Sequence, residues 1–354
     1  MDISKNHQTA EDAARIVKNA FGSGMKEAVP LTAGQCNALY AVTLTDGTRC
    51  VLKVASLDGK GLRRGERWLM KSEIAAMRLV EALPDVPAPR VLFADDSKTV
   101  CSAPYFIMEY VDGDLMGDLR KGWTESDRNF WYEKIGRLIR AYTAVGNDAF
   151  GIVASGRPFG SLYDFYRDML LMMLDDAEEF KVDLGAEREA LLERLEKSRP
   201  SFDAYTVPRL VHYDLWENNL IVRDGEIVGV LDWERAIWAD PLMEERFLSY
   251  SRHPAMLKGY GQTDFSPAEK ERMLWYDILM DAAFMVDVFT RQYSDDRQYR
   301  WGKDLFLRSW KELTAGLGGV RNNADSLNLT ASMEKPDRIN LPGCQRIEFI
   351  AGSS

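Results

Sequence analysis

The sequence has no long apolar run. No stretch near 18 uninterrupted apolar residues occurs, so it offers no candidate membrane-spanning helix. Its most apolar helical segment, Trp275–Phe289, is interrupted by Asp277, Asp281 and Asp287. Histidine is scarce, with only His7, His212 and His253, which argues against a histidine-based zinc site. The four cysteines, Cys36, Cys50, Cys101 and Cys344, show no C-x-x-C spacing; we read a reducing, cytoplasmic setting. Basic charge is in deficit: 45 Lys and Arg face 55 Asp and Glu, a net charge of −10. Nucleic-acid binding needs a basic face, so no nucleic acid is expected as partner, and no membrane either. The first residues have no apolar core behind a basic start, unlike a secretory leader. Internal repeats are absent. What remains is 354 residues, 46% of them hydrophobic, enough for one large or two ordinary domains.

The most informative stretch is Arg209–Glu234, RLVHYDLWENNLIVRDGEIVGVLDWE. Asp224-Gly225 lies between the apolar runs 220–222 and 227–231. Asp-Gly between strand-like residues signals a tight hairpin, because both turn residues need positive φ. With that turn, Arg223 faces Glu226, Asn219 faces Val230, and Asp232 lies just beyond at the same open end. A carboxamide and a carboxylate placed so can share one Mg²⁺. His212 and Asp214 stand upstream of Asn219. A single Asp or Asn beside a turn is usually just a turn residue. His-x-Asp-x-x-x-x-Asn, then a hairpin, then Asp, is the set of groups a phosphoryl-transfer loop needs.

VHYDLWENNLIV followed by GVLDWERAIWADP resembles the aminoglycoside phosphotransferase and choline kinase family. The resemblance can be traced from about Leu31 to about Tyr250 and is most specific in these two motifs. It implies a protein-kinase-like fold in which Asp214 is the catalytic base. Asn219 and Asp232 are then the metal ligands, and His212 braces the loop rather than carrying a proton. Tyr213 departs from the small residue, usually Gly, that the family carries there, which bears on the shape of the acceptor pocket. Asp240-Pro241-Leu242-Met243-Glu244 is similar to a Gly-Asp-Pro-x-x-Asp segment of the family. Glu244 stands for its last Asp, and we read it as a carboxylate bracing the catalytic loop.

Upstream, Leu31–Ala55 reads as strands around a second Asp-Gly turn, Asp46-Gly47. Gly34 and Asn37 lie in the turn before them; one Gly is far short of a G-x-G-x-x-G pattern, and it is the resemblance that sets this turn over the phosphates. Lys53 sits among strand apolars and must snorkel or meet a partner. By resemblance it holds the α- and β-phosphates, and Glu73, on a helix over Trp68–Leu83, orients it. Glu66 is the competing partner. Tyr105–Met108 is an apolar strand running into a hinge. There the resemblance gives Met108 the back of the base pocket and gives Glu109 and Val111 the adenine edge.

Helices are expected over Ala10–Phe21, Thr124–Val145, Ser161–Phe180, Leu184–Lys197, Pro267–Arg291 and Asp296–Leu317 from apolar spacing and caps. Asp175, Asp176, Glu178 and Glu179 close the third of these. They are either a solvated end or the lining of a site for a cationic acceptor.

The expectation is an α+β, bilobal, kinase-like fold. The nucleotide-binding lobe, a small antiparallel sheet, covers 1–111. A larger helical lobe with catalytic loop and acceptor site covers 112–320, and a tail over 321–354 has no assigned role. The expected reaction moves the γ-phosphate of ATP or GTP, with Mg²⁺, to a hydroxyl of a small, cationic acceptor such as an aminoglycoside. The alternatives are another acceptor (a choline-like alcohol, a sugar, a macrolide) or a catalytically silent nucleotide-binding interaction module.

Overall fold

The computed structural model describes residues 6–31, 37–56 and 61–315; Gly34 and the tail over 321–354 lie outside them. The described residues fall into two compact units, those of 1–60 and 89–112 and those of 61–88 and 113–336.

The smaller unit is a five-stranded antiparallel sheet with one helix. Helix α1 (Ala10–Phe21) starts at a Thr9/Asp12 capping box and stops at Gly22, whose φ of 67° a side chain would disfavour. The strands are β1 (Met25–Leu31), β2 (Ala38–Leu44), β3 (Arg49–Val54), β4 (Val91–Asp95) and β5 (Tyr105–Glu109). They run in the order β1-β2-β3-β5-β4. The β2–β3 hairpin turns at Asp46-Gly47 as expected, with Ala41 opposite Val51 and Leu39 opposite Lys53. Strand β1 was not expected. It carries Pro30 and Lys26 and sits at the sheet edge, where a missing N–H is tolerated. Ala13, Ile16 and Val17 of α1 pack on Tyr40, Val42, Leu52 and Ile107 to form this unit's core.

The larger unit is mostly helical. Its first helix is α2 (Leu69–Val80), followed by β6 (Asp114–Leu115), α3 (Met116–Leu119) and α4 (Glu125–Tyr142). Then come β7 (Gly151–Ile152), α5 (Leu162–Glu179), α6 (Arg188–Asp203) and β8 (Arg209–Val211). The hairpin around Asp224-Gly225 is β9 (Leu220–Arg223) and β10 (Glu226–Val230), and β11 (Ile237–Ala239) follows. The chain ends its described course in α7 (Pro254–Tyr260), α8 (Pro267–Thr290) and α9 (Arg297–Ala315). This unit also holds two small antiparallel sheets, β10-β9-β6 and β7-β11-β8. Capping boxes at Thr124 and Ser266 and a Ser161 cap open α4, α8 and α5 where the sequence expected them. Helix α8 is buried nearly all round and forms the unit's centre. Residues 61–88, which the sequence reading puts in the first lobe, group with this unit because α2 packs against the turn Trp233–Arg235.

The hairpin has one departure in register. Arg223 pairs with Glu226 as expected, but an irregularity between Ile227 and Gly229 moves Val230 opposite Leu220 instead of Asn219. One extra residue in β10, a bulge, accounts for the shift. Asn219 then faces Leu231, whose N–H donates to the Asn219 carbonyl at 2.8 Å.

Helices α4 and α7 cross at two glycines. A Cβ on Gly136 would lie 2.1 Å from the Met256 carbonyl oxygen, and one on Gly259 would lie 2.0 Å from that of Glu133. Backbone must move to admit either. Gly136→Ala is expected to cost about 1–3 kcal/mol, the usual penalty of overpacking. Urea unfolding with Gly122→Ala as the control, where nothing lies within 4 Å, checks this. Equal midpoints for the two variants would remove the close crossing.

Candidate active site

In the larger unit the chain leaves β8 and turns through His212–Leu215 around one buried carboxylate, Glu244, which is 0% exposed. The backbone N–H groups of His212, Tyr213 and Leu215 donate to it at 3.0, 3.3 and 3.3 Å. The Glu245 N–H and the Tyr142 hydroxyl add bonds of 2.9 and 2.7 Å. Glu244 thus braces the loop, as the sequence reading had it. Tyr213 is held at φ 66°, the left-handed region that favours glycine.

His212 is fully buried. Its Nδ1 accepts from the Asp214 N–H at 3.3 Å, and its Nε2 lies 2.9 Å from the Leu231 carbonyl. This pattern assigns the proton to Nε2, which donates to Leu231. With both nitrogens engaged, His212 fixes the distance between the loop of Asp214 and the strand end that carries Asp232.

Asp214 is buried. Asn219 donates its Nδ2 to the Asp214 carbonyl at 2.8 Å, which orients its Oδ1 for another task. Asp232 has φ 64° and ψ 49°. Carboxylate oxygens of Asp232, Glu234 and Glu73 come within 4.8 Å of one another. The structure therefore brings His212, Asp214, Asn219, Asp232 and Glu73 to one place in this unit. Three carboxylates and a carboxamide are hard oxygen donors, the set that suits Mg²⁺.

Around this centre lie ion pairs that the sequence reading did not find. Glu217 begins the short turn ending in Asn219. It pairs with Arg246 at 2.8 Å and accepts from the Tyr132 hydroxyl at 2.7 Å, with Arg120 at 3.5 Å. Burial alone would raise its carboxyl; Arg246 and Arg120 outweigh it and hold the group at about 2. Glu66, the competing partner for Lys53, receives Arg63, Arg235 and Arg291, each at 2.8 Å. Burial raises its carboxyl and the three guanidiniums lower it further, to a net depression. Arg235 is held charged against its burial chiefly by Asp214, then by Glu66. The only signal for these in the sequence was position: Glu217 stands in the catalytic stretch, and Glu234 and Arg235 follow Asp232.

The acidic end of α5 also has partners. Asp175 pairs with Arg188 at 2.8 Å, Glu179 with Arg64 at 2.6 Å, and Asp176 with the Arg64 guanidinium and its backbone N–H. Two arginines of the chain itself, Arg64 and Arg188, face these four acidic residues and offset about half of their charge.

In the smaller unit, Lys53 is 4% exposed on β3, opposite Leu39 of β2 and Phe106 of β5. Met108 on β5 pairs with Val51, and Glu109 with Cys50. The Glu109 carboxylate takes the Arg90 Nε at 2.6 Å, which lowers its pKa. Asn37 is buried and Val111 half-buried.

The model of the phosphotransferase enzyme family (APH) matches residues 27–276 of the chain. The crystal structure of a thermostable mutant of aminoglycoside phosphotransferase APH(4)-Ia, in ternary complex with ADP and hygromycin B, superposes with a TM-score of 0.60. The match has 17% identity and covers 87% of this chain and 99% of that one. Among curated proteins, "Probable acyl-CoA dehydrogenase IBR3" of Arabidopsis thaliana is 22% identical over 57% of this chain and 25% of its own length. Acyl-CoA dehydrogenase family member 10 of Mus musculus is 24% identical over 74% of this chain and 24% of its own. The chain thus spans about a quarter of the length of these curated relatives.

The Glu217 pair yields a pH test. A carboxyl held at about 2 against an ordinary 4.5 stabilises the fold fully above about pH 4.5. That stabilisation is lost as pH falls towards 2, in total on the order of 3 kcal/mol. Glu217→Gln lacks the charge at every pH. The stability gap between wild type and Glu217→Gln, from urea melts, is expected to narrow steadily between pH 5 and pH 3. A constant gap over this range would deny Glu217 its charged role.

Proposed function

The chain belongs to the phosphotransferase enzyme family, and from that premise we propose that it transfers the γ-phosphoryl group of ATP or GTP to a hydroxyl of a small molecule. The observation that carries this reading is the single braced loop on which Asp214 and Asn219 are tied together, with Asp232 following the strand end that His212 pins. In this reading 1–111 binds the nucleotide and 112–320 carries the catalytic loop and the acceptor site.

Asp214 accepts the acceptor's hydroxyl proton. The acceptor oxygen forms a bond to the γ-phosphorus as the bond to the β–γ bridging oxygen breaks, and the nucleoside diphosphate leaves. Asn219, through its Oδ1, and Asp232 hold Mg²⁺, with Glu234 and Glu73 as nearby carboxylates. The ion, when bound, offsets charge on the phosphates. By the resemblance, Lys53, Asn37 and Gly34 serve the phosphates, and Glu73 is the glutamate assigned to Lys53. Met108, Glu109 and Val111 serve the base. The solved relative's ADP supports nucleotide as donor. Its hygromycin B is less transferable, because three of the carboxylates that would attract such a polycation, Asp175, Asp176 and Glu179, are engaged by Arg64 and Arg188 here.

Asp214→Asn keeps the shape and loses the base. It is expected to lower kcat by about 10²–10⁴-fold with a small change in nucleotide affinity by calorimetry. Asp232→Ala is expected to abolish Mg²⁺-dependent turnover while circular dichroism stays that of the wild type. Near-normal turnover of Asp232→Ala at saturating Mg²⁺ would remove Asp232 from the metal site. If the wild type phosphorylates nothing and Asp214→Asn changes no measurable activity, the interaction-module reading takes over.

A further inference from the structure

Beside the catalytic loop the larger unit holds a narrow slot. Its walls are Met169, Met172 and Met173 of α5, with Trp68 and Leu279. Tyr213 closes one side, and it directly precedes Asp214; Arg235, held charged by Asp214, forms another. Of the three carboxylates at the slot, Glu234 belongs to the cluster with Asp232 and Glu73, and the other two are engaged by arginines. Glu66 accepts three guanidiniums at 2.8 Å, and Asp176 accepts the side chain and N–H of Arg64. No free anionic edge is left at either for an ammonium group. The slot is open on one side and its volume is about 60 Å³, well under the ~150 Å³ apolar cavity that admits one benzene ring. A multi-ring sugar cannot enter. The end of an unbranched hydrocarbon chain is slim enough to start into the opening, and unbranched, polarisable methionines can shift to admit more of it.

We propose that this slot binds the acceptor and that the acceptor is an alcohol with a slim, apolar chain, its hydroxyl presented to Asp214. The proposal rests on the phosphoryl-transfer reading for its chemistry but not for its binding. The chain enters among the three methionines. The hydroxyl loses its proton to Asp214 and gains the phosphoryl group, and the nucleoside diphosphate leaves.

Binding and transfer can be measured apart. The full chain, labelled with ¹³C-methyl methionine and assigned by single Met→Leu exchanges, is titrated with straight-chain primary alcohols from butanol to octanol, without nucleotide. Met169, Met172 and Met173 should shift saturably. Affinity should rise about fourfold per added methylene, as for a buried CH₂, and level off once the chain outruns the slot. Hygromycin B should leave these three signals unmoved. Tyr213→Gly removes a wall at a backbone angle glycine tolerates (φ 66°), so its fold is safe. It should flatten the chain-length series and admit branched alcohols that the wild type refuses. The same compounds are then offered with Mg²⁺ and ATP, and product mass is read. Alcohols that bind with the chain-length series, while nothing at all is phosphorylated, would uphold the slot and sink the kinase reading. Methionine signals that no alcohol moves, with hygromycin B phosphorylated, would overturn the slot and leave the kinase reading standing.

Discussion

One buried carboxylate organises the site. Glu244 accepts from four backbone N–H groups and one phenol. A buried acceptor left without donors costs several kcal/mol, so the loop has strong reason to wrap it. Wrapping fixes His212, and His212 reaches across to the Leu231 carbonyl. Asp232 follows Leu231 directly. The position of Asp232 is thereby referred, through two hydrogen-bonded residues, to the same anchor that sets Asp214. A glutamate at 244, one methylene longer than the aspartate the family usually carries, performs this in the present chain.

Around that anchor the charges are arranged so that few are spare. Glu66 and Asp287 share Arg63 and Arg291, and Glu66 also takes Arg235. Three cations meet two anions, and Arg235 is left with charge for Asp214. Buried ion pairs of this kind add little net stability, because desolvation offsets attraction. Their effect is to fix positions. Arg235 is bound to Glu66 and lies in the field of Asp214, so one side chain links the surroundings of Asp214 to the slot wall.

Local grammar was legible in the sequence and long-range pairing was not. The Asp224-Gly225 turn, the caps at Thr124, Ser161 and Ser266, and the limits of α1 all follow from residues within four of each other. The ordered set His212, Asp214, Asn219, Asp232 was legible for the same reason. The bulge that moves Val230 opposite Leu220 has no residue signature, since Val228 reads as any strand valine. Edge strand β1 carries too weak an alternation around Pro30. Arg291 and Glu66 lie 225 positions apart, and Arg64 and Asp176 lie 112 apart. No periodicity links such residues. The acidic end of α5 therefore looked available to a cation until its arginines were in view.

Tyr213 joins these threads. A non-glycine residue in the left-handed region costs about 1–2 kcal/mol, and glycine would avoid that cost. The loop can impose the angle because Glu244 holds the N–H groups of both His212 and Tyr213, and of Leu215 beyond. Strain so secured is available for a purpose, and here it carries an aromatic ring to the wall of the methionine slot. The residue that breaks the local backbone rule is therefore also a wall of the slot, and it directly precedes Asp214. A smaller residue would relax the loop and widen the slot together, so backbone strain and slot width are not independent variables in this protein.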